Sequence, residues 1–572
     1  MSETGFVDAL RAHDDAVRRT SLDLWVGGEP TFTRAESTAP CWNTEAEGGD
    51  KEATARAWLT AFANEFREVV RYEPVRAPVL LRAAGRQYPG ETEPRFAFGA
   101  GWRRDGKAPC LLGSLEGLPT PAPAQDPELC WLTATPDPGV LEINMAPCPS
   151  VTELYSQLGA IWRASEACGL SARRFRYNGE ITDSGGGGQI TFGGRAAAQS
   201  PFFVHPRLLP SLVRYLNRHP ALSYAFASEC VGTASQGPRP DEGSRERFEE
   251  LGLALDALQD RGACSPDRLW RTLAPLLVDL SGNAHRAELN IEKLHNPGLL
   301  DRGCQGLVEF RALRMMPTPE SQAAVAALLR AVVARCAASE VRDPLIDFGA
   351  ALHDHRALPA FLEADLQAVL EDLEAHGLGL RPALTAHLDR RLELLTVLTI
   401  GDSRLSLTPA VEFWPLVDDV ASQERSGARL VDASLRRLEL RVDGPAAGRV
   451  SVNGVIIPLT PMGSGSAIGA VRYRAFVPSP GFSPDVAADD PLTVVWEAHD
   501  PRRAVRVHAW RPDGGAYAAL PTSPGEAAAR RLERVVPVEP PVLEPRHAAC
   551  RLAPPAGAPQ LLTVDLRGRS PT

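Results

Sequence analysis

The chain has 572 residues, 44% hydrophobic and 23% charged, with a formal net charge of −10. That length exceeds what a single core organises, so two or more domains of a globular protein are expected. The acidic balance argues against a nucleic-acid surface, which needs a basic field. No apolar run of about 18 residues marks a membrane span, and the N-terminus lacks the basic-then-apolar layout of a signal peptide. A cytoplasmic location is expected. Ten cysteines with no C-x-x-C pair and no zinc spacing read as reduced thiols. Strong cations are almost all arginine, the lysines being Lys51, Lys107 and Lys293.

Taken in order, "LDLWVGGEPTFT" (22–33) predicts a strand from Leu22 to Val26 that breaks at Gly27 and Gly28. Trp58, Phe62, Phe66 and Val69 recur at helical spacing and predict a helix over 51–70. Residues 95–102 alternate like a strand, and 113–128 form a Pro-rich linker or loop. A strand over 139–147, a helix over 151–168 and a loop-strand over 183–194 follow. Further helices are predicted at 207–217, 245–260, 319–338, 360–374 and 383–398. Near 430 the pattern changes to short alternating runs joined by Gly, Pro and Asp turns, the signature of a small all-β domain. The expected organisation is a first domain over 1–425, the β domain over 426–521, and an Ala-, Arg- and Pro-rich tail over 522–572, ordered in part.

Four segments share one layout. Side chains alternate across a strand, so Glu142 and Asn144 oppose Leu141 and Ile143, and Gln189 and Thr191 oppose Ile190 and Phe192. Likewise Glu288, Asn290 and Glu292 oppose Leu289 and Ile291, and Glu309 and Arg311 oppose Val308, Phe310 and Ala312. "GGEPTF" adds Glu29 just past a strand end. If these strands share a sheet, one face collects several carboxylates, which repel unless neutralised. Hard oxygen donors without a His/Cys cluster point to Mg²⁺ or Mn²⁺. Arg286, Arg311 and Arg314 suit phosphate or carboxylate oxygens. For any one strand a solvated outer face is the alternative reading; four alike favour a site.

The glycines of "DSGGGGQ", Gly185, Gly186, Gly187 and Gly188, let backbone N–H groups approach an anion. No G-K-[ST] follows, so this is not a P-loop. A nucleotide or carboxylate cradle and a flexible turn both remain open. The loops "VGTASQGPRPDE" and "GRQYPGE" hold Gln236, Arg239, Asp241, Arg86 and Glu91, as substrate-contacting segments or plain connections. No G-x-S-x-G elbow or H-E-x-x-H is present.

The ordered set "VGGEPTF", "WNTEA", "YPGE", "WRRDG", "TPDPGVLEIN", "NAHRAELNIEKL" and "GLVEFRALRM" resembles the putative amidoligase family over most of residues 20–475. Its members are often fused behind transglutaminase-like domains, and the chain is expected to be a shortened stand-alone copy. The resemblance implies an α+β, glutamine-synthetase-like antiparallel sheet with helices packed on one face. It also implies an ATP-dependent carboxylate–amine ligase that works through an acyl phosphate on a small-molecule acid and amine. Under it, Glu29, Glu142, Asn144 and Glu309 are expected metal ligands. Gly185 to Gly188, Gln189, Lys293 and Arg314 are expected to hold the nucleotide. Arg286, Arg311 and Glu288 are expected in catalysis, with Arg239, Gln236 and Arg86 on substrate. Gly188 and Gln189 stand where family members typically carry Asn-His. A homo-oligomer is compatible with glutamine-synthetase relatives, though no motif specifies an interface. A non-catalytic peptide- or carboxylate-binding relative and a metal-dependent amide hydrolase are the alternatives.

Overall fold

The computed structural model describes residues 3–34, 49–65, five strand segments between 70 and 103, and 129–567, with breaks at 138, 186, 263, 299–302, 389–393, 418–429, 446–447, 464, 479–480, 499–501, 542–545 and 548–560. Helix α1 (Glu3–Arg19) leads into strand β1 (Trp25–Glu29), and after Pro30 the chain continues as β2 (Thr31–Arg34). Next come β3 (Val140–Met145), helix α2 (Val151–Ala167), and the hairpin β4 (Arg173–Phe175) and β5 (Ile181–Asp183). Strand β6 (Gln189–Gly193), helix α3 (Leu208–Arg218), strands β7 (Leu289–Asn290) and β8 (Val308–Phe310), and helix α4 (Pro319–Ala338) complete the part that frames the site.

Strands β1, β6, β8 and β7 form one antiparallel sheet in that order. Its register sets Glu29 opposite Gln189, Gly27 opposite Thr191, and both Thr191 and Asn290 opposite Glu309. Alternation therefore turns Ile190, Phe192, Leu289, Val308 and Phe310 to the other face, where all are buried in the main core. Phe192 and Phe310 meet edge to face with centroids 5.5 Å apart. Helix α4 is apolar nearly all round, which suits a helix buried on every side. It is long and apolar enough to cross a membrane, yet 83% of its most apolar stretch is buried inside the protein, as in a core helix.

The strand expected over 139–147 forms as β3 but joins a neighbouring sheet, between β2 and 129–137. Pro30 explains the division, since it has no N–H to donate to a ladder. It breaks one extended segment into β1 and β2, which serve different sheets. The sheets stay joined there, because Ile143 N–H donates to the Pro30 carbonyl at 2.9 Å. The molecule is thus α+β, with helices and largely antiparallel sheets.

Most predicted helices form close to their expected bounds, including Gly49–Glu65, Arg245–Arg261 and Pro359–Ala375. The segment 383–398 does not. Among its described residues only Pro382–Thr385 is helical, and Thr396–Ile400 is a strand, as its β-branched run favours. That strand pairs with Ser403–Ala410, which pairs with Leu435–Asp443, so β structure starts ahead of 426. A six-stranded and a five-stranded sheet share a core that includes Leu405, Leu440, Val450, Val494 and Trp496. Part of the tail is ordered with them, since Val535–Val538 and Thr563–Asp565 each add a strand. The tail helix Pro524–Glu533 and Arg534 just after it clasp the β4–β5 turn. Arg530 donates to the Tyr177 carbonyl at 2.7 Å, Arg531 to Gly179 O at 2.6 Å, and Arg534 to Glu180 at 2.9 Å.

Candidate functional site

The polar face of the first sheet is a buried charge cluster. Glu309, Thr191 and Asn290 are at most 1% exposed, and Glu29, Gln189, Glu288 and Arg311 are also buried. Glu29 and Glu309 lie on strands separated by β6, and both reach the ammonium of Lys293, from the turn after β7. Its Nζ lies 2.7 Å from Glu309 Oε2 and bonds Glu29 Oε1. Arg311 takes the other oxygen of Glu309. Burial alone would raise the Glu309 carboxyl, but Lys293 and then Arg311 pull it down to about 2. Burial, followed by the charge on Glu309, pushes Glu29 up to about 7 despite Lys293, and Glu142 adds to the rise. One carboxylate is thereby locked in its charged form while the other titrates near neutrality. Asn144 donates to Glu142 at 2.9 Å.

The glycine loop borders this face and is anchored at several points. Asp183 accepts from Gly185 N–H at 3.0 Å, Thr31 Oγ1 meets Ser184 at 2.7 Å, and Thr31 donates to the Gly187 carbonyl at 3.1 Å. Gln322 of α4 holds the Gly188 carbonyl at 3.1 Å. Glycine is required at 185 because its φ is +91°, in the left-handed region. At Gly188 a Cβ would meet the Arg314 carbonyl at 2.4 Å.

Gly185 and Gly187 line a cavity of about 270 Å³ together with Arg174, Arg176, Arg311 and Arg314. Of its acids, Glu242 is pushed up to about 8 by burial, so it is largely uncharged at neutral pH. Four guanidinium groups then face Asp183 and Glu229, with Glu229 already paired to Arg176. Arg174 donates its Nε to the Asp183 carbonyl, while its two terminal nitrogens make no hydrogen bond among the described residues. A cavity of this size with arginines and an anchored glycine turn fits an anion such as a phosphate chain.

The structure brings together Glu29, Glu309, Arg311, Lys293 and Gln189 from the expected set, with Glu142 close enough to act on Glu29. Others it sends elsewhere. Lys293 was expected on nucleotide and instead bridges carboxylates, because two buried acids attract the nearest cation. Arg239 was expected on substrate, but all its N–H groups are engaged internally, by Asp241, Ser223, Glu288 and the carbonyls of Leu216 and Asn217. Glu288, expected in catalysis, is held in that same buried knot by Ser223 and Arg239, and burial raises its carboxyl. Arg286 sits half-buried in the turn before β7, its N–H bonded to the Asn283 carbonyl. Arg314 lines the cavity and also reaches the carbonyls of Ala225 and Ala227 at 3.4 Å. Gln236 is exposed at the rim of the cavity. Arg86 lies in a two-residue strand with its side chain outside the described residues, as are Gly186 and Glu91.

The four-residue metal set does not fit a resident Mg²⁺ or Mn²⁺. Both oxygens of Glu309 are taken by cations, and Asn144 presents its NH₂ to Glu142. Among the described residues no group of three His, Cys, Asp or Glu side chains converges as a metal cage.

Arg174 and Arg176 were missed by the sequence reading. Arg174 lies on β4 and Arg176 just past its end, ahead of an Asn178-Gly179 turn that is a strong hairpin signal. That dipeptide was the cue available.

A family described as "Putative amidoligase enzyme (DUF2126)" matches residues 6–111 and 113–567. No curated protein matches the chain. A solved structure titled "GmaS/ADP complex-Conformation 1" aligns over 66% of this chain and 71% of its own at 11% identity. Its TM-score of 0.30 is too low to establish a shared fold.

Proposed function

Since the chain belongs to the putative amidoligase enzyme family, we propose that it is an ATP-dependent ligase joining a carboxylate to an amine on an amino acid or peptide-like small molecule, in a glutamine-synthetase-like fold. One observation carries the reading. The cavity bearing four arginines and the glycine turn reaches the buried carboxylate face at Arg311, which belongs to both.

In this reading ATP enters as substrate with the Mg²⁺ or Mn²⁺ it carries. Arg174, Arg176 and Arg314 hold its phosphates, and Arg311 stands where the γ-phosphoryl group meets the acid. A carboxylate oxygen attacks the γ-phosphorus, the bond to the β-phosphate oxygen breaks, and ADP leaves. The amine nitrogen then attacks the acyl carbon, and phosphate departs with the oxygen the acid donated. Positioning and charge stabilisation supply most of the catalysis in such transfers. Glu29, titrating near 7, is suited to take the proton the amine loses.

The test is ADP and phosphate release with ATP, Mg²⁺ and pools of amino acids and amines. Release that needs an acid and an amine and disappears in Arg311→Met supports the ligase. ATP binding without release from any pool, or no ATP binding at all, favours a non-catalytic relative.

A further inference from the structure

Two buried carboxylates from strands two places apart converge on one cationic atom. Neighbouring strands lie about 4.8 Å apart, so Glu29 and Glu309 must lean over β6 toward each other to share a partner. Two acids converging in this way is also how a bridging divalent ion is held. Here the occupant is Nζ of Lys293, 2.7 Å from Glu309 and bonded to Glu29, with only 17% of the lysine side chain exposed. Arg311 takes the remaining Glu309 oxygen, so two cations are set against the two acids. Beneath them the Thr191 hydroxyl, on the residue paired in register with Glu309, has no hydrogen-bond partner among the described residues.

We propose that Lys293 is a built-in cation that fills the position between Glu29 and Glu309, so that this chain binds no divalent ion there. An ammonium is a compact point charge on a flexible stem, able to stand where a small ion would. A divalent ion entering between Glu29 and Glu309 has to expel Lys293 from between two acids while Arg311 still claims one oxygen of Glu309. Lysine is scarce in this arginine-rich chain, and a planar guanidinium would not place a single charge between two carboxylates as an ammonium does. The charges that hold the lysine ammonium above its ordinary range are those of Glu29 and Glu309, acting against burial.

The inference deepens the ligase reading of the same face, and its test reads metal rather than turnover. Mn²⁺ binding to the nucleotide-free full chain is followed by electron paramagnetic resonance and calorimetry. The wild type is compared with Glu309→Gln, Lys293→Ala and Lys293→Ala/Glu309→Gln. The expected result is that Glu309→Gln changes nothing in the wild-type titration. Lys293→Ala gains a Mn²⁺ site that the double variant loses. Wild-type Mn²⁺ binding that vanishes in Glu309→Gln overturns the proposal, as does a folded Lys293→Ala chain with no new site. If Lys293→Ala does not fold, the comparison of wild type with Glu309→Gln decides alone. Failure here leaves acid-dependent ADP release untouched, and failure of that release leaves the Mn²⁺ result standing.

Discussion

Replacing Arg239 with Met should destabilise the first part of the chain severely without acting on substrate. Its guanidinium is 1% exposed and sits against Asp241 and Glu288, whose side chains are 3% and 5% exposed. Removing one partner of a buried ion pair costs about 3–5 kcal/mol, because the remaining charge is left unpaired in a poor solvent. The Leu216 and Asn217 carbonyls lose donors as well, at about 1–3 kcal/mol each before relaxation. Relaxation and protonation of Glu288 recover part of this, so about 5 kcal/mol is expected. A domain holds roughly 5–15 kcal/mol in all, which makes this a large fraction. With a urea m-value of about 3 kcal/mol/M, the midpoint of the first transition should fall by roughly 1.5 M, followed by near-UV circular dichroism. An Arg239→Met chain as stable as wild type, with a raised KM for the acid, would return Arg239 to the substrate site and refute the reasoning.

Two further outcomes follow from the charged groups. Glu29 is held at about 7, above its unfolded value of 4.5, so the folded state binds its proton more tightly. Its contribution is therefore present below about 4.5 and lost as pH rises through about 7, by at most about 3 kcal/mol. Measured against Glu29→Gln, the wild type should lose relative stability between those pH values; parallel stability curves would contradict this. Arg174→Ala should weaken ATP binding about tenfold or more, the worth of a charge-assisted contact, and reduce its salt dependence. Unchanged affinity in a titration calorimeter would take the phosphate chain out of this cavity.

Much of the site's one-sided character was legible in period-two alternation. Gln189, Thr191, Asn290 and Glu309 do share a face, opposite Ile190, Phe192, Leu289, Val308 and Phe310, because a strand leaves no other choice. The break at Pro30 was not used, and so Glu142 was placed in the wrong sheet. Tertiary partners decided the rest. Nothing near Arg239 in sequence announces the carbonyls of Leu216 and Asn217, which exhaust its donors. Lys293 stood out by composition, but only the convergence of β1 and β8 reveals that it answers the repulsion between Glu29 and Glu309. Residues 383–398 mixed helical spacing with the start of the strand-prone run "TVLTI" (396–400), and pairing with Ser403–Ala410 decided the chain from Thr396 onward.

The central claim is that ATP activates a carboxylate by phosphorylating it. The most direct measurement uses acids labelled with oxygen-18 in the carboxylate, incubated with the protein, ATP, Mg²⁺ and an amine pool, with mass spectrometry of the released phosphate. The account predicts ADP together with phosphate carrying an oxygen-18 atom from the acid. Amide product accompanied by AMP and pyrophosphate, or by unlabelled phosphate, would contradict it.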